Sequence, residues 1–112
     1  MHELSLAESM LAIVEKSARD GGFRKVAVIR LEIGQLSCVM PEALRFCFES
    51  VTRGSLAEGA RLEIIEIAGE GCCPGCAMML PLEELYGICP DCGLPLEITS
   101  GTEMRVKELD VA

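Results

Sequence analysis

Two Cys-x-x-Cys pairs, Cys73-Pro74-Gly75-Cys76 and Cys89-Pro90-Asp91-Cys92, stand twelve residues apart in the chain. A tight turn carrying cysteines at this spacing directs both sulfurs toward one point, and two such turns complete a tetrahedron of thiolates suited to Zn²⁺. Such a set is closed. It leaves no coordination position for water or substrate, so the metal it holds folds the chain rather than catalysing a reaction. The zinc ligands read from the sequence are therefore Cys73, Cys76, Cys89 and Cys92. Cys72 is a neighbouring thiol whose spacing to Cys76 is a less regular alternative. Seven cysteines leave one over in any complete disulfide scheme, and paired knuckles of this kind hold metal in reducing compartments. The expected location is cytoplasmic. Cys38 and Cys47 fall among apolar residues and read as small buried hydrophobes.

A chain of 112 residues makes one ordinary domain, or one domain with a small appendage, and its half-hydrophobic composition supports a core. No apolar run approaches the roughly 20 residues that cross a bilayer, and no basic segment leads into an apolar stretch at the N-terminus. The net charge of −8 opposes nucleic-acid binding. Four thiolates around Zn²⁺ would add about two further negative charges. Stacking platforms for bases are also missing, with no Trp, one Tyr and three Phe.

Ser5-Leu6-Ala7-Glu8 has the form of a capping box, which predicts a helix from about Leu6. Leu4, Ala7, Leu11, Val14 and Ala18 recur at helical steps, and Gly21-Gly22 ends the element. Between Lys25 and Ile33 apolar residues alternate with Arg30 and Glu32, the period of a half-buried strand. Pro41 opens a second helix whose Leu44, Cys47, Phe48 and Val51 share a face, with Gly54 as the stop. Arg61 to Ile67 predicts a second strand. Met104 and Val106 alternate with charged residues beyond Gly101, so the chain returns to the same sheet. The expected organisation is an α/β domain over 1–69 and 101–112, interrupted by a zinc-binding segment over 70–100.

The only histidine is His2. A histidine at a terminus is commonly a solvated, frayed residue. Here the Met1 α-amine, the His2 peptide nitrogen and the His2 imidazole can close fused chelate rings around one ion. Glu3 can supply a fourth donor through its backbone nitrogen or its carboxylate. Nitrogen-rich, square-planar coordination selects Ni²⁺ or Cu²⁺ over Zn²⁺. The site needs Met1 in place with a free amine, and its affinity should rise with pH as the donors lose protons.

Met1-His2-Glu3-Leu4-Ser5 opening a helix, the strand ending at Ile33-Gly34, the Pro41-Glu42 helix with Phe46, Cys47 and Phe48, the two knuckles and the closing Gly101-Thr102-Glu103-Met104 together resemble the HypA/HybF hydrogenase nickel-incorporation proteins. The likeness covers nearly the whole chain. It implies an α+β fold with two helices on one face of a small three-stranded sheet and an inserted zinc-ribbon-like domain built on four cysteines. It also implies a metallochaperone, not an enzyme, that carries Ni(II) on Met1, His2 and Glu3 as cargo, with structural Zn(II) on the four knuckle cysteines. The implied partners are a HypB-type GTPase and the large-subunit precursor of [NiFe]-hydrogenase, with urease a client in some organisms. A homodimer is compatible with the sequence, whereas nucleic acid and membrane are not expected partners. Some members of the family carry histidines beside the knuckles that respond to nickel or pH; this chain has none there. A competing reading is a zinc-ribbon protein-interaction adaptor in which His2 is incidental.

Overall fold

The computed structural model describes residues 3–112. Along them run α1 (Glu3–Gly21), β1 (Val26–Gly34), a 3-10 turn (Gln35–Ser37), α2 (Pro41–Val51), β2 (Arg61–Ile67), β3 (Glu70–Cys72), β4 (Met79–Pro81), β5 (Glu97–Ser100) and β6 (Met104–Val111). They fall into two compact units. The first comprises the chain up to Glu32, Val39–Ile65 and Arg105–Ala112, and the second comprises Ile33–Cys38 and Glu66–Met104.

In the first unit α1 buries Leu6, Ala7, Met10, Val14 and Ala18, a stripe of three- and four-residue steps. The stripe differs from the expected one: Leu4 is 49% exposed and Leu11 only half-buried, while Leu6 and Met10 take their places. The capping box does not form. The helix is already under way at Glu3, and the Ser5 carbonyl accepts a hydrogen bond from the Ser9 hydroxyl one turn on (3.0 Å). At the other end the Gly22 amide donates to the Ala18 carbonyl (2.8 Å) with Gly22 at φ 73°, a left-handed closure that glycine adopts without strain.

Pro41 occupies the first turn of α2, where a missing amide proton removes no helix bond. Leu44 and Phe48 are buried against the core, and α1 and α2 pack on one another. Buried Thr52 has its hydroxyl bonded to the Phe48 carbonyl (2.8 Å), so the helix ends with no polar group stranded.

β1 is the central strand of a sheet ordered β2-β1-β6. Ile29 and Leu31 are fully buried while Arg30 and Glu32 between and beyond them are half-exposed, the alternation expected of a strand with one solvated face. On that face Arg30 donates to Glu63 of β2 (2.9 Å) and, through both terminal nitrogens, to Asp110 of β6 (2.8 and 2.9 Å). One guanidinium thus ties all three strands. The bond from Arg30 holds the Asp110 carboxyl below its ordinary range. Arg105 pairs with Glu32 beside it.

The second unit has its own antiparallel sheet, ordered β4-β3-β5, with Gly71 opposite Leu80 on one side and Ile98 on the other. Within this unit three glycines pack backbone against backbone around Leu36. A Cβ on Gly34 would strike the Gly101 carbonyl, one on Gly69 would strike the Leu82 carbonyl, and one on Gly101 would lie 2.6 Å from the Gly69 Cα.

The two knuckles repeat one turn. Ala77 donates to the Cys73 carbonyl (2.8 Å) and Cys73 to the Met78 carbonyl (2.9 Å); Gly93 donates to the Cys89 carbonyl (2.9 Å) and Cys89 to the Leu94 carbonyl (2.8 Å). The residue after each second cysteine is left-handed, Ala77 at φ 57° and Gly93 at φ 71°. Glycine fits that conformation and alanine is strained in it.

Ala77→Gly should therefore raise stability by up to about 1 kcal/mol and Gly93→Ala should lower it by about as much, read as opposite shifts in thermal unfolding. In the first unit Leu44→Ala should cost about 2–5 kcal/mol in urea unfolding, while Leu4→Ala stays within about 0.5 kcal/mol.

Candidate metal centre

Each turn sets one sulfur inward and one outward: Cys73 and Cys89 are buried, Cys76 and Cys92 exposed. The four sulfurs lie within 4.8 Å of one another. Individual separations are 3.2 Å for Cys73–Cys92, 3.4 Å for Cys73–Cys76, 3.5 Å for Cys76–Cys92 and 3.6 Å for Cys76–Cys89. A regular tetrahedron with Zn–S bonds of about 2.3 Å has S···S edges of about 3.8 Å. These four separations fall about 0.2–0.6 Å short of such an edge, so the sulfurs stand near the positions that ion requires.

The donor chemistry points the same way. The Cys76 amide donates to the Cys73 sulfur (3.5 Å), and with the Cys92 thiol alongside it lowers the Cys73 thiol to about 6. Cys76 is pushed up by the neighbouring sulfurs of Cys73, Cys92 and Cys89. At Cys92 the Leu94 amide favours the thiolate, but the Cys73 sulfur and desolvation outweigh it and the thiol is raised. One sulfur is prepared to ionise and its neighbours are thereby hindered. A divalent cation at the centre removes that conflict, since it stabilises all four thiolates together. The set fits zinc and is complete without water.

The other candidate residues are placed separately. Cys72 is half-buried, with its thiol directed to the Cys73 carbonyl (3.8 Å), and is not in the four-sulfur cluster. Cys38 is exposed in a left-handed conformation at φ 64°, so the expectation of burial fails there: the residue closes the 3-10 turn instead of entering the core. Cys47 is only half-buried, at the margin of the α2 face that Leu44 and Phe48 fill.

Of the N-terminal tripeptide, Met1 and His2 lie outside the described residues. Glu3 is half-buried at the start of α1, and its carboxylate accepts from the Met40 amide (3.4 Å), the residue that precedes α2. The Glu3 side chain thus bridges the starts of the two helices. Sequence reasoning did not find this bond, which spans 37 positions. It also missed a groove beside the second knuckle whose lining residues have no common period.

No helix among the described residues is long and apolar enough to cross a membrane. A family model described as hydrogenase/urease nickel incorporation, metallochaperone, HypA matches residues 1–111. The hydrogenase maturation factor HypA of Albidiferax ferrireducens is 55% identical over 112 residues, and that of Dechloromonas aromatica 54%, with 99% of each chain covered in both comparisons. The solution structure of the Ni metallochaperone HypA from Helicobacter pylori superposes with a TM-score of 0.74 at 30% identity, covering 99% of this chain and 97% of that one. Because the match runs from the Met-His-Glu opening through both knuckles, this chain belongs to the HypA family of hydrogenase/urease nickel-incorporation metallochaperones.

Proposed function

We propose that this protein accepts Ni²⁺ on Met1, His2 and Glu3 and delivers it, with a HypB-type GTPase, to the large-subunit precursor of a [NiFe]-hydrogenase, and that urease is a second client class. It binds and releases metal without turning over a substrate. The observation that carries this reading is the family match across residues 1–111, which takes in the candidate nickel ligands and the four cysteines together.

The surroundings of Glu3 support a backbone donor. It is the first residue of α1, so its amide is among the first-turn donors that have no acceptor within a helix. Losing that proton to a metal would break no helical bond. Its carboxylate is already engaged with the Met40 amide. The square-planar set is then the Met1 amine, the His2 amide and imidazole, and the Glu3 amide, a combination suited to Ni²⁺. Zinc on Cys73, Cys76, Cys89 and Cys92 serves the fold of the 70–100 segment, which has little apolar core of its own. Thiols kept for metal require a reducing environment, and the proposed location is the cytoplasm.

Calorimetry on protein with a free Met1 amine should give stoichiometric nickel binding that is lost in His2→Ala; equal binding by both would favour the zinc-ribbon adaptor. Glu3→Gln, which keeps the backbone nitrogen, should retain binding, and a loss there would make the carboxylate the ligand. Affinity should rise through about pH 6 to 8, where imidazole and α-amine lose their protons. Cys89→Ser should abolish stoichiometric zinc and broaden backbone signals over 70–100 in amide NMR spectra, leaving those of Ile29 and Leu31 in place. Sharp, unshifted signals across 70–100 would rule out a folding role for the metal.

A further inference from the structure

Charge is divided sharply between the two units. All ten Lys and Arg fall in the first, which is close to neutral with eleven acidic residues, while the second carries seven acidic residues and no Lys, Arg or His. Nearly all of the net −8 therefore sits on the second unit. Unbalanced charge of one sign opposes compaction, and no cationic side chain of the unit offsets it.

The same unit carries an open apolar groove of about 520 Å³. Leu82, which is buried, and half-buried Leu96 line it, and Gly87 lies against both, since a Cβ there would run into the Leu82 side chain and approach Leu96 to 3.3 Å. Tyr86 and Ile88 stand on its rim, 91% and 69% exposed, and β4, an edge strand, contributes a wall. Glu83 and Glu84 flank the same opening. An aromatic and a branched aliphatic side chain left in water around an apolar floor are the makings of a protein-binding centre rather than of a solvated face.

We infer that this groove docks a basic amphipathic segment of a partner protein, with an apolar side chain seated over Leu82 and Leu96 and flanking Lys or Arg facing Glu83 and Glu84. Charge selects this occupant. A second copy meeting this face symmetrically would bring a like-charged unit against this one, and juxtaposed like charges disfavour that association. Nucleic acid and anionic lipid are repelled for the same reason. An open groove with an edge strand for a wall suits an extended segment better than an enclosed small molecule. The inference is independent of the N-terminal nickel site, and loss of nickel binding would leave it standing.

The test is fluorescence anisotropy on the full chain, purified under reducing conditions, with a labelled synthetic peptide in which Lys alternates with Leu and Phe. Two control peptides replace Lys by Glu, or Leu and Phe by Ser. The Lys/Leu/Phe peptide should bind, with amide NMR shifts confined to about residues 80–96, and each control should bind at least about tenfold more weakly. Tyr86→Ala, a change at a solvent-exposed position, should weaken the Lys/Leu/Phe peptide by a similar factor. The double variant Glu83→Lys, Glu84→Lys should do the same, and its zinc content reports that the unit stays folded. The inference is overturned by no binding of the Lys/Leu/Phe peptide, by equal binding of either control, by shifts elsewhere, or by undiminished binding to Tyr86→Ala. Groove shifts that appear on raising protein concentration without peptide would assign the surface to self-association and overturn it equally.

Discussion

Four sulfurs held within 4.8 Å of one another cannot all carry charge unless a cation stands between them. This conflict organises the second unit. Its strands are three or four residues long, too short to hold together as an isolated sheet, and the cysteines lie in the turns that join and flank them. A cation held by the four sulfurs would supply the missing cohesion. The Cys76 amide favours the Cys73 thiolate while the surrounding sulfurs oppose ionisation of Cys76, the conflict that a central cation relieves.

The first unit is held by other means. Its core is apolar, drawn from α1, α2 and the buried side of β1, and its solvated face is fastened by Arg30 reaching Glu63 and Asp110 on the two flanking strands. The lowered Asp110 pKa makes that fastening a property of neutral pH: its contribution is complete above the ordinary carboxylate range and is lost as pH falls through the depressed value. The exposure of the Glu63 and Asp110 carboxylates to solvent limits its strength. The reading as a nickel carrier gives the two units different tasks, with cargo at the start of the chain and zinc where the chain needs a scaffold.

Much of this was legible in the sequence for a simple reason: the signals were local. Cys-Pro-x-Cys states its own geometry, and the alternation around Arg30 and Glu32 marks a strand with one wet face. Helix α2 followed from Pro41 and a regular apolar face. The misreadings arose where two local signals competed. Ser5 and Glu8 suit a cap, but a helix that is already formed at Glu3 places them inside it, and the buried stripe then falls on Leu6 and Met10 instead of Leu4 and Leu11. Cys38 has apolar neighbours, yet the turn it closes takes its side chain out of the core. β3, β4 and β5 are too short to show a period. The Glu3–Met40 bond and the groove around Tyr86 exist only because distant or irregularly spaced residues are brought together. The charge segregation was present in the letters but has meaning only once the units are known.

The three glycines around Leu36 carry a topological consequence. Gly69 and Gly101 bracket the knuckle segment and touch backbone to backbone, with no room for even a methyl group between them. The 70–100 excursion therefore begins and ends at one close backbone contact, although β2 before it and β6 after it lie on opposite sides of β1. Within the excursion Leu82 returns to that point, its amide donating to the Gly69 carbonyl (2.8 Å). Changes of length in the segment are therefore best absorbed away from Leu82 and from the Thr99 and Ser100 hydroxyls that bond Glu70 and Ala68, the contacts that close its base.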